Sequence, residues 1–308
     1  MRSLTKMTKA NPIVLPYLKS GDCIGIVAPA RKISVDELSS DISLLESWGL
    51  KVKVGKNIYA TLNQFAGTDK ERTADMQQML DNTEVKAIIA ARGGYGSVWV
   101  IDKLDFTKFC QNPKWVAGFS DITVFHSHIQ KHFGIETLHS TMPINFSKDS
   151  ESTELLRKAL FGELKEYNVD AQPLNRNGKS NGILCGGNLS VLYSLAATPS
   201  DIDTSGKILF LEDLDEYLYH IDRMMMQLKR SGKLDNLKGL VIGSFSEMKD
   251  NIIPFGKTAE QIILDAVEEY NYPVCFGFPA GHGAKNFPLY MGRNAELSVY
   301  AEKVSLAF

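Results

Sequence analysis

The chain has 308 residues, of which 44% are hydrophobic and 23% charged, and its formal net charge is -2 at pH 7. This composition is typical of a globular protein with room for two domains, and the near-neutral charge argues against the broad basic surface of a nucleic-acid binder. The four separated cysteines include no C-x-x-C pair and indicate neither a zinc ribbon nor a disulfide framework. We see no signal-peptide core and no membrane-spanning run, so we expect a cytoplasmic protein.

Strand-like and helix-like segments alternate along the first hundred residues. The hydrophobic pattern predicts strands at 23–28, 52–54 and 85–91, with helices between them at 35–48 and 68–82. Such alternation favours βαβ units on a parallel sheet.

A glycine-rich stretch, Arg92-Gly93-Gly94-Tyr95-Gly96-Ser97, follows the strand predicted at 85–91. Its glycines allow the backbone to approach a ligand closely, as a phosphate cradle or as part of an oxyanion hole. The stretch has neither the Gly-Lys-Ser/Thr ending of a P-loop nor the full G-x-G-x-x-G spacing, so it favours nucleotide binding only weakly. A plain tight turn is the alternative.

A serine lies where the apolar run 115–117 passes into Gly118-Phe119-Ser120-Asp121, ahead of an amphipathic helix. At such a strand-to-helix turn the hydroxyl of Ser120 is uncovered, beside helix N-terminal amides that can stabilise an oxyanion. Ile122 stands where a G-x-S-x-G elbow has its second glycine. The turn therefore indicates a nucleophile, but in an architecture other than the α/β-hydrolase fold.

A base for this serine must come from six histidines. His282 lies in a glycine-bearing loop, 278–286, that can bend tightly and present the imidazole to another surface. A loop histidine with no functional role is an equal alternative. His126, His128 and His132 form a rival cluster, because the last two have the i, i+4 spacing of zinc sites. The cluster lacks the glutamate of H-E-x-x-H and a nearby cysteine, which favours a solvated or capping role.

The regular pattern is interrupted in the middle of the chain. We predict an N-terminal α/β domain at 1–165, a polar linker at 166–179 and a C-terminal domain at 180–308. Within the second domain the hydrophobic pattern predicts a helix at 189–197 and strands at 208–211, 240–243 and 272–278.

Acidic residues follow the buried strand predicted at 208–211. Glu212 is the first of them and is the best candidate to orient a catalytic histidine. The alternative is an acidic first turn of a helix, in which Asp213, Asp215 and Glu216 favour the positive end of the helix dipole.

Five motifs in this order resemble the LD-carboxypeptidase family of serine peptidases, and the resemblance extends from Gly21 to Gly292. The motifs are Arg92-Gly93-Gly94-Tyr95-Gly96, Gly118-Phe119-Ser120-Asp121, Gly186-Gly187-Asn188-Leu189, Leu209-Phe210-Leu211-Glu212-Asp213, and Gly281-His282 with Asn286.

The resemblance implies a catalytic triad of Ser120, His282 and Glu212, with an oxyanion hole from the backbone amides of Gly94 and Asp121. It implies hydrolysis of the bond between an L-configured diamino acid centre and the terminal D-alanine of muropeptide tetrapeptides, in cell-wall recycling. A second branch of the family inactivates peptidyl-nucleotide antibiotics of the microcin C type. The length of the chain favours the muropeptide branch, and a noncatalytic protein that binds a small ligand is a further alternative.

The resemblance also implies the architecture: a flavodoxin-like or class I amidotransferase-like N-terminal domain and a β-rich swivelling C-terminal domain. The nucleophile then belongs to the first domain and the other two triad residues to the second, so we expect the active site between them. We further expect a homodimer that binds a muropeptide, with no cofactor, no metal, no nucleic acid and no membrane as partner.

Substrate contacts are less sharply predicted. A carboxypeptidase must bind a free carboxylate, for which Arg92, Arg223, Arg293 or a helix N-terminus is suitable. Acids between Asp213 and Glu216 could meet the ammonium of the diamino acid. The candidates for substrate binding are Arg92, Tyr95, Asn188, Asp213 and Asn286.

Overall fold

The computed structural model describes residues 12–308, which form a two-domain α/β protein. Its strands are β1 (Cys23–Val27), β2 (Lys51–Val54), β3 (Val85–Ala90), β4 (Trp115–Gly118), β5 (Thr137–His139), β6 (Glu166–Asp170), β7 (Gly178–Asn188), β8 (Ile208–Leu214), β9 (Gly239–Ser246), β10 (Val274–Cys275), β11 (Leu289–Met291), β12 (Asn294–Val299) and β13 (Lys303–Ala307). Its helices are α1 (Val35–Ser47), α2 (Asp69–Asp81), α3 (Val98–Ile101), α4 (Thr107–Gln111), α5 (Thr123–Phe133), α6 (Ser150–Leu160), α7 (Leu189–Ser194), α8 (Leu218–Arg230) and α9 (Ala259–Ala266).

The first sheet has the strand order β2-β1-β3-β4-β5 with all neighbours parallel, and β11 joins β5 antiparallel at the edge. β1, β3 and β4 are buried almost throughout, which explains their nearly continuous apolar sequence. The capping boxes of Ser34 with Glu37 and Thr68 with Glu71 fix the starts of α1 and α2. The βαβ units predicted from the alternation are therefore present.

The second sheet has the order β10-β9-β8-β7-β12-β13-β6. Its strands β7 to β10 are parallel, whereas β12, β13 and β6 pair antiparallel. The C-terminal half is thus a mixed α/β unit, since α7, α8 and α9 accompany its strands. No helix within residues 12–308 is long and apolar enough to cross a bilayer.

Three details differ from the sequence-based expectation. The predicted linker at 166–179 contains β6, an edge strand anchored by the buried Tyr167, so this segment is part of the second sheet. The strand predicted at 272–278 is regular only at Val274–Cys275. β11 comes from the C-terminal half but completes the first sheet, because its partner β5 offers an open edge there. The two halves of the chain therefore interlock.

A buried ion pair joins the two halves. Glu136 precedes β5, and both of its carboxylate oxygens accept from Arg293, at 2.7 and 2.8 Å. The guanidinium also lies 3.8 Å from the ring centre of Tyr290. Because Arg293 is fully engaged in this contact, it is not a binding group for a substrate carboxylate.

Close backbone approach completes the junction beside Ser120. A Cβ on Gly187 would lie 2.5 Å from Oγ1 of Thr123, and the same hydroxyl accepts from the backbone amide of Asn188 at 3.0 Å. Only glycine leaves room for β7 to meet the start of α5 at this distance. The carboxyl ends of β4 and β8 are thereby brought to one cleft.

Candidate active site

Ser120 occupies a strained turn immediately after β4. Its φ is +62°, in the left-handed region that costs a non-glycine residue about 1 kcal/mol and is concentrated at functional sites. A Cβ on Gly118 would lie 2.9 Å from Cγ1 of Ile122, so the chain folds back sharply around the serine. This contact explains why position 118 is glycine.

His282 and Glu212 form a hydrogen-bonded pair in the second domain. Nδ1 of His282 lies 2.6 Å from Oε2 of Glu212, and the backbone amide of His282 donates to the same oxygen at 3.2 Å. Glu212 is fully buried at the end of β8, and 14% of the His282 side chain is exposed. A Cβ on Gly281 would lie 2.7 Å from the carboxylate, so the loop can pass here only as glycine.

The electrostatics of this pair favour a protonated imidazole. Burial alone would lower the pKa of His282, but the charge and the hydrogen bond of Glu212 outweigh it and raise the pKa above its usual value of 6.5. A carboxylate on Nδ1 also fixes the tautomer with a free Nε2, which is the arrangement of a general base.

Asn286 anchors the loop that carries His282. Its Oδ1 accepts from the amide of Gly281 at 2.8 Å and lies 3.0 Å from Nε2 of the buried His139. Burial lowers the pKa of His139 to about 3, so its ring is neutral and donates through Nε2. The amide of Asn286 donates to Oγ of Ser152 at 2.9 Å. First-domain residues thus position the histidine of the second domain.

Ser120 and His282 face one cleft of about 350 Å³ between the domains. Within residues 12–308 no hydrogen bond joins the hydroxyl of Ser120 to the imidazole of His282. The two side chains thus face the same cleft without a direct bond between them. The cleft is also lined by Arg31, Arg92, Gly93 and Lys148.

The glycine-rich loop lies against Ser120. A Cβ on Gly93 would lie 3.0 Å from Cβ of Ser120, so the loop backbone is in contact with the serine. The buried carboxylate of Asp121 accepts from the amide of Ser97 at 2.8 Å, and Nη1 of Arg72 donates to the carbonyl of Gly96 at 3.0 Å. These two contacts hold the loop beside the turn, where its amides can face a developing oxyanion.

Of the predicted substrate-binding residues, only Arg92 lines the cleft. Tyr95 is 51% exposed, and its hydroxyl accepts from Nε1 of Trp99 at 3.2 Å. Asn286 anchors the histidine loop as described. Arg223 lies on α8 against the ring of Tyr219 and does not line the cleft.

Asn188 and Asp213 bond to each other behind the cleft. Nδ2 of Asn188 donates to Oδ1 of Asp213 at 3.0 Å, and Oδ1 of Asn188 accepts from the amide of Val191 at the start of α7. Burial and the neighbouring Glu212 raise the pKa of Asp213 to about 7. Their side chains thus fix the ends of β7 and β8, the strands that deliver Glu212.

Two positively charged residues that line the cleft, Arg31 and Lys148, were not identified from the sequence. Arg31 follows β1 by four residues and Lys148 comes after β5. The carboxyl ends of parallel strands meet at one edge of a sheet, so cations that follow such strands in the sequence are candidates for that edge. This position is the sequence signal that marks Arg31 and Lys148.

The rival histidines have protein partners. Nδ1 and Nε2 of His126 lie 2.8 Å from Thr137 Oγ1 and 2.9 Å from the Gly118 carbonyl. His128 contacts the hydroxyl of Ser200, and His132 contacts the carbonyl of Pro199. In the part of the chain that the structure describes, no three His, Cys, Asp or Glu side chains are grouped as metal ligands.

A two-domain α/β fold, with a strained serine and a carboxylate-bonded histidine facing one cleft, has the arrangement of a serine hydrolase. The chain belongs to the LD-carboxypeptidase family. Residues 24–140 match the family model described as LD-carboxypeptidase N-terminal domain, and residues 181–297 match that of the C-terminal domain. The family assigns the chain to the serine peptidases.

Known proteins similar to this chain include carboxypeptidases and an immunity protein. It is 36% identical to the probable murein peptide carboxypeptidase of Bacillus subtilis, covering 94% of this chain and 92% of that one. The crystal structure of muramoyltetrapeptide carboxypeptidase from Oxalobacter formigenes matches with a TM-score of 0.83 and 31% identity, covering 92% of this chain and 97% of that one. The microcin C7 self-immunity protein MccF, in complex with glutamyl sulfamoyl guanosine, shares the fold at a TM-score of 0.85 and 20% identity, covering 96% and 99%.

Proposed function

We propose that this protein is a serine LD-carboxypeptidase that removes the terminal D-alanine from muropeptide tetrapeptides in cell-wall recycling. The observation that carries the proposal is the pairing of Glu212 with His282 at 2.6 Å in the cleft that also contains Ser120. Its murein and muramoyltetrapeptide carboxypeptidase relatives support the substrate class.

The residues act in a defined order. Ser120 attacks the carbonyl before D-alanine while Nε2 of His282 accepts its proton, and Glu212 stabilises the resulting imidazolium. The amides of Gly94 and Asp121 hold the oxyanion, and His282 then protonates the leaving amine. Water hydrolyses the acyl-enzyme in the second half of the reaction. We infer that a small swivel of the C-terminal domain brings His282 to Ser120 when the substrate binds, since the two do not bond in this structure.

The charges around the cleft suit a zwitterionic peptide. Arg31, Arg92 and Lys148 supply positive charge from the first domain, which suits the carboxylates of such a peptide. Asp215 and Glu216 follow Glu212 in the second domain and already pair with Lys249 and His220. An ammonium of the substrate would have to compete with those partners.

Peptidyl nucleotides are the alternative substrate class, because the chain is also similar to the MccF immunity protein. A nucleobase requires an aromatic platform. Among residues 12–308, Phe119 is the one Phe, Tyr or Trp side chain that lines the cleft, and its ring packs on His282 at 4.7 Å between centres. The cleft therefore favours a peptide over a nucleotide.

The proposal is tested by release of D-alanine from purified muropeptide tetrapeptide. The tetrapeptide that ends in L-alanine serves as the stereochemical control, and an aminoacyl-sulfamoyl adenosine serves as the nucleotide control. We expect turnover of the D-alanine substrate alone. Inactivity on every tetrapeptide, or preference for the nucleotide, would exclude the muropeptide assignment.

The pH dependence of turnover should reflect the raised pKa of His282. The imidazole accepts the serine proton only when neutral, so kcat/KM falls as the pH falls through a pKa that lies above 6.5. Glu212→Gln removes the charge that raises this pKa, and the acid limb of its residual activity should move to lower pH. A pH–rate profile of D-alanine release, recorded for the wild type and for Glu212→Gln, measures the acid limb of each. An acid limb that stays in place in Glu212→Gln would contradict the assignment.

The side chain of Asp121 should act as a positioning group for the glycine-rich loop. Asp121→Ala removes the acceptor for the Ser97 amide, so the loop shifts and kcat falls by about a hundredfold, while KM changes little. Asp121→Asn keeps an acceptor of the same size and should retain most of the activity. Steady-state kinetics with thermal unfolding of both variants makes the comparison. Equal losses of kcat in the two variants would show that the charge, and not the hydrogen bond, is needed.

Other expectations remain predictions. The parallel order β2-β1-β3-β4-β5 supports a flavodoxin-like first domain. The homodimer and the cytoplasmic location are expected from the family resemblance and the sequence, and sedimentation and cell fractionation would test them.

A further inference from the structure

A second cavity adjoins the catalytic cleft. It encloses about 480 Å³, and the two cavities share Arg31 and Arg92. We name it the side cavity; it is lined by residues 31–35 and Glu37, at the start of α1, together with Tyr59, Thr61 and Arg92. A volume in this range suits a small-molecule or peptide fragment.

The side cavity carries more positive than negative charge. Arg31, Lys32 and Arg92 line it against a single acid, Glu37. Glu37 is largely engaged in capping α1, since its Oε2 accepts from the amide and the hydroxyl of Ser34 at 2.8 and 2.9 Å. Its other oxygen is 3.7 Å from Arg92, which is a loose contact for an ion pair.

The two guanidiniums are available to an anion. Among residues 12–308, Arg31 makes no side-chain hydrogen bond or ion pair, and Nη1 of Arg92 donates to the carbonyl of Lys32 at 3.0 Å. Partial burial and the neighbouring charge of Arg31 lower the pKa of Arg92. A carboxylate between the two groups would relieve their repulsion and could be bound through the guanidinium forks.

The position of His282 decides which part of the substrate reaches the side cavity. The general acid must protonate the leaving amine, so the departing D-alanine lies on the His282 side of Ser120. Neither His282 nor Ser120 lines the side cavity. Lys148 lines only the cleft, and its neighbour Asp149 accepts from the amide of Asn286 in the histidine loop at 3.4 Å. Lys148 is therefore placed for the terminal carboxylate, and the side cavity for the acyl part.

We propose that Arg31 and Arg92 bind a carboxylate on the acyl side of the scissile bond, and that the side cavity accommodates the segment that carries it. The inference rests on the proposed function, and it adds a second anion subsite to it. A muropeptide offers such a group in the free α-carboxylate of its γ-linked glutamyl residue. The hydroxyls of Tyr59 and Thr61 supply further donors on the same wall.

The test is a binding measurement that needs no turnover. Calorimetry with the Ser120→Ala variant compares a tetrapeptide carrying the free glutamyl α-carboxylate with the same peptide amidated at that position. We expect the free acid to bind about tenfold to a hundredfold more tightly, as the loss of a charge-assisted contact predicts. Adding Arg31→Gln and Arg92→Gln should abolish this preference, and Arg92→Lys, which keeps the charge without the fork, should reduce it.

Arg223→Gln is the matched control, since that arginine lies outside both cavities, and it should keep the full preference. Equal binding of the two peptides, or an equal loss for both in the arginine variants, overturns the subsite. Failure of both peptides to bind overturns the subsite and the substrate together. A preserved preference for the free acid without D-alanine release by the wild type overturns the proposed reaction alone.

Discussion

Replacing Ser120 or His282 with alanine is expected to lower the turnover of D-alanine release by about 10⁴-fold or more. Ser120 supplies the attacking oxygen, and without His282 no neighbouring group accepts its proton. Ser120→Ala should change the melting temperature by only a few degrees, because its side chain ends in the cleft. His282→Ala should unfold at a lower temperature, because it leaves the buried carboxylate of Glu212 without its partner. Single-turnover kinetics together with thermal unfolding measures both quantities.

The chain offers a closely matched control for the histidine. Nδ1 of His220 lies 2.6 Å from Oε2 of Glu216, the same distance as in the His282 pair, but this pair does not line the cleft. His220→Ala should keep wild-type turnover, and Ser43→Ala, on the exposed face of α1, is the corresponding serine control. Ser120→Ala with more than a tenth of wild-type activity would mean that another group is the nucleophile.

The sequence indicates the candidate reacting groups because each lies at a position with a distinctive local pattern. Ser120 follows an apolar run and a glycine, Glu212 is the first acid after the apolar residues of a buried strand, and His282 follows a glycine that leaves room for the carboxylate. The structure brings the second and third together at 2.6 Å. Such positions can be recognised from the sequence because they depend on the local backbone conformation and on neighbouring residues in the chain.

What depends on distant pairing was harder to predict. Tyr167 lies in a segment that was interpreted as a linker, yet it anchors an edge strand whose partner is more than a hundred residues away. β11 was not anticipated as part of the first sheet for the same reason. Asn286 belongs to a recognised motif, but its contact with His139 is visible only when both domains are assembled. Arg31 and Lys148 have long side chains whose direction no sequence pattern fixes.

Replacing Gly186 with alanine is expected to destabilise the second domain strongly. Its φ is +121°, and a Cβ at this position would lie 1.9 Å from the carbonyl oxygen of Phe210. That oxygen belongs to β8, which is buried between β7 and β9 and cannot retreat. Gly186→Ala should therefore cost about 3–5 kcal/mol in the free energy of unfolding, from backbone strain and overpacking together. Chemical denaturation of the full chain measures this loss.

Gly206→Ala separates the two contributions. Gly206 also has a left-handed φ, +73°, but nothing lies within 4 Å of its Cβ position, so alanine there pays only the backbone strain of about 1 kcal/mol. A loss at Gly186 no larger than that at Gly206 would show that β7 and β8 can separate without cost. Because Asn188 of β7 is in register with Glu212 of β8, a forced separation should also displace the carboxylate from His282. The folded fraction of Gly186→Ala is thus expected to turn over more slowly than Gly206→Ala, which links the packing of the strands directly to the chemistry.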